Sequence, residues 1–151
     1  MKLEIFTDGA CSGNPGPAGI GIVIKQDGKT IKEISKYIGE GTNNIAEYTA
    51  LICALLEAKR LNAKEVSIKA DSELMVRQVT GKYRVQHENI IPLFEQVKQL
   101  KAGFKRFSLT HVRREQNTEA DKLSVQAIKK AGRDDRPDAA GSGEESPSSK
   151  G

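Results

Sequence analysis

The segment TDGACSGNPGPAGIGIVI, Thr7 to Ile24, constrains this chain more than any other, because five glycines and two prolines follow directly on the alternating run KLEIFTD. Glycine-rich loops behind a first strand often cradle phosphates, and that use has definite requirements. A dinucleotide loop needs G-x-G-x-x-G opening a helix, so that the pyrophosphate meets the helix N-terminus. Here the glycines fall at 9, 13, 16, 19 and 21 and run into IGIVIK, a β-branched alternating stretch that reads as a strand. A P-loop would close with G-K-[ST], whereas this run closes with G-I-V-I. Neither nucleotide motif applies. The glycines are instead expected to make a tight strand-to-strand connection and to let a bulky ligand approach the backbone.

The rest of the body alternates strands and helices. GIGIVIKQDGKTIKEISKYIG reads as a hairpin about Asp27-Gly28. Ile45, Tyr48, Leu51, Ile52, Leu55 and Leu56 recur at helical spacing, with Asn43 or Asn44 as the cap and the apolar stripe as core. EVSIKAD is a short strand, SELMVRQVTG a helix ending at Gly81, and ENIIPLFEQVKQLKAG a helix that tolerates Pro92 near its first turn. KRFSLTHV is a last strand and NTEADKLSVQAIKKAG a closing helix. The order βββαβααβα predicts an α/β fold with a mixed sheet and helices packed on it.

At 151 residues the chain holds one domain with a real core, expected over residues 1–132. Residues 133–151, built from Gly, Ser, Pro, Asp and Glu, read as a disordered polar tail or linker. Removing the tail's three basic and five acidic residues from totals of 24 and 20 leaves 21 basic against 15 acidic in the body, a weak signal for a polyanionic partner. Cys11 and Cys53 lack metal-type or disulfide-framework spacing and fit a reducing cytoplasm. Cys53 reads as core, and nothing beside Cys11 marks it as a nucleophile. No apolar run approaches the length of a bilayer span and the N-terminus is not signal-like, so a cytoplasmic, monomeric protein is expected.

Four acidic residues stand at element boundaries: Asp8 closing the first strand, Glu47 in the first turn of the long helix, Asp71 ending the fourth strand, and Asp121 in the first turn of the last helix. Three have an ordinary alternative. Asn44 with Glu47 and Thr118 with Asp121 have capping-box spacing, and Asp71 is a good N-cap. Asp8 has none, since a carboxylate at the end of a buried strand is costly unless a cation meets it. If the first and fourth strands are adjacent and parallel, Asp8 and Asp71 share the rim where α/β sites form. Four converging carboxylates are stable only with divalent cations, and oxygen-only ligands select Mg²⁺ or Mn²⁺.

In this order and spacing, FTDGACSGNPGPAGIGIVI, GTNNIAEYTALICAL, IKADSELMVRQVTG and REQNTEADKLS closely resemble the type 1 ribonuclease H family, over about residues 1 to 131. The resemblance implies a ribonuclease H-like fold, with a five-stranded mixed sheet flanked by helices. It also implies an endonuclease that cuts the RNA strand of RNA/DNA hybrids, leaving 5′-phosphate and 3′-hydroxyl ends. The family's metal-binding acids fall on Asp8, Glu47, Asp71 and Asp121. Asp8 would bridge two ions roughly 4 Å apart. Asp121 would help hold the ion that activates water, and Glu47 and Asp71 the ion that stabilises the leaving 3′ oxygen. Asn14, Asn43 and Asn44 match nucleotide-contacting positions in the minor groove, with backbone near Gly9 and Ala10 approaching the RNA strand, where the 2′-hydroxyl distinguishes RNA from DNA. Thr42 matches a position that helps bind a DNA-strand phosphate. For the asparagines, turn formation and helix capping stay open as the alternative.

The chain departs from the family pattern in three places. The loop RREQNTEA lacks the His that many members carry before the last acid; Arg113 or Arg114 is the candidate substitute, while His111 belongs to the preceding strand and His87 to a loop elsewhere. The basic, Trp-rich handle is missing, which makes this a short form with weaker, strongly salt-dependent hybrid binding. Glu73 replaces a minor-groove-reading Gln; as a substrate contact it would weaken RNA binding or recruit a cation, and otherwise it is a solvated first-turn Glu. A module that binds without cutting is disfavoured, since all four acids are present. A nuclease acting on double-stranded RNA stays open.

Overall fold

The computed structural model describes residues 1–134. β1 (Lys2–Cys11), β2 (Gly16–Gln26) and β3 (Lys29–Gly41) form an antiparallel meander, followed by α1 (Asn43–Arg60), β4 (Glu65–Ala70), α2 (Glu73–Val79), α3 (Ile91–Lys101), β5 (Arg106–His111) and α4 (Thr118–Asp134). A single 3-10 turn, Arg114–Gln116, joins β5 to α4. The expected order βββαβααβα is the observed one. The polar tail read from 133 onward begins within the last two residues of α4 and otherwise lies outside the described residues.

One mixed sheet has the order β3-β2-β1-β4-β5. Asp27 and Gly28 both take positive φ, 54° and 81°, as a two-residue hairpin turn requires, and they set the β2–β3 register. β1 is central, antiparallel to β2 and parallel to β4, while β4 is parallel to β5. Alternation on β1 divides the sheet's faces. Leu3 and Ile5, with Ile20, Ile22 and Ile24 of β2, are wholly buried in one core with Tyr48, Leu51 and Leu55 of α1. Each such side chain contributes about 1.5–3 kcal/mol by leaving water. Leu56, expected in this stripe, is 47% exposed because it falls past the edge of α1's buried face, and Cys53 is only partly buried.

Three of the five glycines of the opening segment, Gly9, Gly19 and Gly21, are seats for helices, whereas Gly13 and Gly16 meet only the β1–β2 connection itself. A Cβ on Gly9 would lie 2.3 Å from the carbonyl carbon of Ala46 in α1, and one on Gly21 would lie 2.1 Å from the carbonyl oxygen of Ala120 in α4. Gly9 pairs with Ile20 and Asp8 with Gly21, so the two bare positions serve opposite faces of neighbouring rungs. Close approach of helix backbone, from α1 and α4, accounts for Gly9 and Gly21.

Candidate active site

The β1–β4 ladder ends at Thr7–Ala70, which leaves Asp8 and Asp71 as the next residue on each of two parallel strands. β1 itself continues to Cys11 against β2, so Asp8 lies within the strand and does not close it. Glu47 is the fifth residue of α1 and stands one turn further in than the sequence suggested. The seat at Gly9 brings α1 down onto this rim, and Glu47 is 9% exposed and Asp8 4%. Asp8, Glu47 and Asp71 each present a carboxylate oxygen within 4.8 Å of the other two. Asp121, in the first turn of α4, adjoins Asp8 and adds a further negative charge.

Other residues take the capping roles that would have explained these acids. Thr42, rather than Asn43 or Asn44, caps α1, its Oγ1 accepting from the Ile45 amide at 3.2 Å. Ser72, rather than Asp71, caps α2, its Oγ accepting from the Met75 amide at 3.2 Å. Glu47 and Asp71 are thereby free of capping duties.

The electrostatics follow from that packing. Burial, then the neighbouring charges of Asp71 and Asp121, push the Asp8 carboxyl up to about 8 against a partly offsetting hydrogen bond from Ser124. Burial and the charges of Asp8 and Asp71 raise Glu47 well above the usual carboxylate range. Among the described residues, none of the four acids enters a salt bridge. Four buried polar atoms lack a hydrogen-bond partner there: Thr7 Oγ1, Asn44 Oδ1, Glu47 Oε1 and Asn117 Oδ1. Glu47 Oε1 is an orphaned acceptor inside the carboxylate cluster, and such atoms ask for an absent donor or cation. An oxygen-only donor set of this kind fits hard divalent cations.

The acids open into a cleft of about 850 Å³ that also takes in Gly9, Ala10, Asn14, Thr42, Asn43, Asn44 and Arg114. Asn14 Oδ1 accepts from the Asn43 amide at 3.0 Å, which ties the glycine segment to the start of α1. Cys11, also on the cleft wall, donates its thiol to the Gly41 carbonyl, and burial pushes the thiol up, away from the thiolate a nucleophile needs. Glu73 is exposed at the start of α2 and paired with Arg77 at 2.8 Å, outside the cleft lining. Arg113 pairs with Glu115 and likewise stays outside it, so of the two arginines only Arg114 faces the acids' cleft.

Sequence reasoning missed several residues. His87, read as belonging elsewhere, lines the cleft together with Asn89 and Ile90 of the same α2–α3 connection. Its Nδ1 accepts from the Asn89 amide at 3.2 Å, so Nε2 is the nitrogen available to a ligand. Gln78 also lines the cleft, accepting from the Tyr48 hydroxyl at 2.8 Å. Asn117, 1% exposed, donates from Nδ2 to the Thr7 carbonyl at 2.9 Å, and the Ser124 hydroxyl donates to Asp8 Oδ2 at 3.0 Å. The spacing 117, 121, 124 was the available signal, since i, i+4, i+7 share a helix face.

A family model described as reverse transcriptase-like matches residues 6–127. A bifunctional protein of Mycobacterium tuberculosis is 40% identical over 141 residues, which are 92% of this chain and 39% of that protein. The solved structure of its N-terminal RNase H domain, a fusion with maltose-binding protein, matches with a TM-score of 0.82 at 38% identity, covering 85% of this chain and 99% of that one. Ribonuclease HI of Halobacterium salinarum is 36% identical over 84% of this chain and 64% of its own length, and the RNase H1 structure from that archaeon has a TM-score of 0.84 over 86% of this chain and 99% of that one. LC11-RNase H1, isolated from compost and solved in complex with an RNA/DNA hybrid, has a TM-score of 0.81 at 44% identity, covering 85% of this chain and 98% of that one. The chain thus spans well under half the length of the mycobacterial relative and just under two thirds of the halobacterial one.

Proposed function

Because the chain belongs to the type 1 ribonuclease H family, we propose that it is a divalent-metal-dependent endonuclease that hydrolyses the RNA strand of RNA/DNA hybrids, leaving 5′-phosphate and 3′-hydroxyl ends. The observation that carries this reading is the cluster of Asp8, Glu47 and Asp71, three carboxylates within 4.8 Å with no cationic side chain paired to them among the described residues.

Asp8 would help hold two Mg²⁺ or Mn²⁺ ions, one with Asp121 and the other with Glu47 and Asp71. Ions bound there supply neutralisation of charge on the phosphate and activation of the attacking water. The chain's own contribution is to preorganise these anions on rigid strand and helix ends, so that little reorganisation is needed at reaction.

The neighbouring polar groups suit a hybrid's minor groove. Asn14 Oδ1 is engaged by the Asn43 amide, which leaves its Nδ2 to donate, and Asn43 and Asn44 line the same cleft. A 2′-hydroxyl both donates and accepts, so neutral amide groups at the cleft suit recognition of RNA. Thr42 Oγ1 accepts from the Ile45 amide and keeps its own proton for a DNA-strand phosphate. Arg114, on the cleft wall, is the candidate for the missing loop histidine.

We assign this activity to residues 1–132 of a monomer acting in the cytoplasm; Arg133 and Asp134 belong to α4, and the rest of the expected tail or linker lies outside the described residues. No helix among the described residues is long and apolar enough to cross a membrane. The test is a labelled RNA strand paired to DNA, incubated with the protein and Mg²⁺, Mn²⁺ or EDTA, beside Asp8→Asn and an all-RNA duplex. Metal-dependent internal cleavage lost in Asp8→Asn is expected. A folded wild type that binds the hybrid and never cuts it refutes the enzyme, and cutting of the all-RNA duplex extends the substrate to double-stranded RNA.

A further inference from the structure

Ser124 is wholly buried, and its position is dictated by backbone contacts before any side-chain chemistry enters. A Cβ on Gly21 would lie 2.7 Å from the Ser124 amide nitrogen, and one on Gly19 2.6 Å from its carbonyl oxygen. These two glycines therefore seat the Ser124 peptide directly on β2. Gly21 is the register partner of Asp8, so one rung of the sheet offers a carboxylate on β1 and a bare backbone on β2. α4 fills the bare half and lays the serine hydroxyl 3.0 Å from Asp8 Oδ2.

A second tie lies nearly two turns away. Asn117 Nδ2 donates to the carbonyl of Thr7, so Asn117, just before α4, and Ser124 on α4 are pinned to two successive residues of β1. Asp121 stands between the two pins. The Ser124 hydroxyl has one proton and two acceptors in reach, Asp8 Oδ2 and the Asp121 carbonyl at 2.8 Å. The carbonyl bond is the ordinary local one for a helical serine. The bond to Asp8 is long-range, and only the seat on Gly19 and Gly21 makes it available.

We propose that Ser124 is a positioning residue of the cation site: its hydroxyl holds Asp8 Oδ2 on the α4 side and thereby orients the Asp8 carboxylate toward the cluster with Glu47 and Asp71. The proposal rests on the reading that these acids bind divalent cations. Partners that orient a metal-binding carboxylate typically change metal affinity about 10–100-fold when removed.

The experiment titrates the full chain with Mn²⁺ alone, by calorimetry, in wild type, Ser124→Ala, Asp8→Asn and Ser35→Ala. Ser35 Oγ donates to the Leu123 carbonyl at 2.6 Å and so fastens the same helix to β3, away from the acids. It is the control for mere attachment. Melting of the metal-free proteins and the KM and kcat of hybrid cleavage complete the set. Ser124→Ala is expected to need about tenfold more Mn²⁺ for half-saturation, with KM for the hybrid unchanged, and to lower metal-free melting as well, since buried Asp8 Oδ2 loses its donor. Ser35→Ala is expected to lower melting and leave the Mn²⁺ midpoint unmoved. An unchanged Mn²⁺ midpoint in Ser124→Ala, or equal shifts in the two serine variants, overturns the proposal. If wild type binds no more Mn²⁺ than Asp8→Asn, the cation reading itself fails and takes the proposal with it.

Discussion

Asp8 and Asp71 hold equivalent places on neighbouring parallel strands, each one residue beyond the last rung, Thr7–Ala70. Two parallel strands in register deliver whatever follows that rung to one point, and here both deliver an anion. α1 adds Glu47 from above and α4 adds Asp121 from the other face. The fold concentrates negative charge where it has buried the groups that carry it.

That concentration sets the pH dependence of the metal-free protein. Asp8 is raised from 3.8 to about 8 in the folded state, by burial first and by Asp71 next. Between those values the folded chain binds more protons than the unfolded one, so stability falls as pH rises. The contribution is complete below about pH 4 and lost by about pH 8. Melting in EDTA should drop by several degrees from pH 5 to pH 8, since about 1 kcal/mol moves the midpoint of a domain this size by roughly 4 °C. Saturating Mn²⁺ should remove most of the drop, and a flat profile in EDTA would contradict the buried, repelling cluster.

Asp8→Asn should separate stability from activity. It removes one of the mutually repelling carboxylates, so the metal-free variant should melt above wild type at pH 8 while hybrid cleavage is abolished. Parallel loss of both would mean that Asp8 supports the fold through contacts other than those described.

Gly9→Ala should harm the fold and the cation site together. Its methyl would meet the α1 backbone at Ala46 and Glu47, within 2.3–2.5 Å. Overpacking of this kind costs about 1–3 kcal/mol, and the displaced turn carries Glu47. Urea denaturation and a Mn²⁺ titration should both shift. A loss of substrate binding with neither shift would return Gly9 to the ligand-approach role first expected of it.

Asn117→Ala removes the buried donor to the Thr7 carbonyl and should cost about 1–3 kcal/mol, the penalty of an unsatisfied buried group. Because Asn117 also begins α4, its carbonyl accepting from the Asp121 amide, the loss should fall on kcat more than on KM. Denaturation and steady-state cleavage together check it.

Arg114→Ala should weaken hybrid binding and reduce the salt slope by about 1, the signature of one lost phosphate contact. Arg113→Ala, outside the cleft lining, should leave the slope unchanged.

Much of this protein was legible in its residues. The alternation of Leu3, Ile5 and Thr7, the Asp27-Gly28 turn and the helical spacing of Tyr48, Leu51, Ile52 and Leu55 are local rules, set by backbone geometry and side-chain period, and the structure follows them. The positions of Asp8, Glu47, Asp71 and Asp121 at or near element ends were legible for the same reason. What was misjudged needed distance. Thr42 and Ser72 outcompete Asn43 and Asp71 as caps, a choice between adjacent residues that tertiary placement of the helix starts decides. His87 lines the cleft together with Asn89 and Ile90 of the same α2–α3 connection, and Ser124 reaches Asp8 only because Gly19 and Gly21 admit α4. By itself, the sequence determined the elements, their order and the chemistry of their ends. Only the tertiary structure decided which ends meet, because convergence depends on strand register and on how closely two backbones approach, and neither is carried by any one segment.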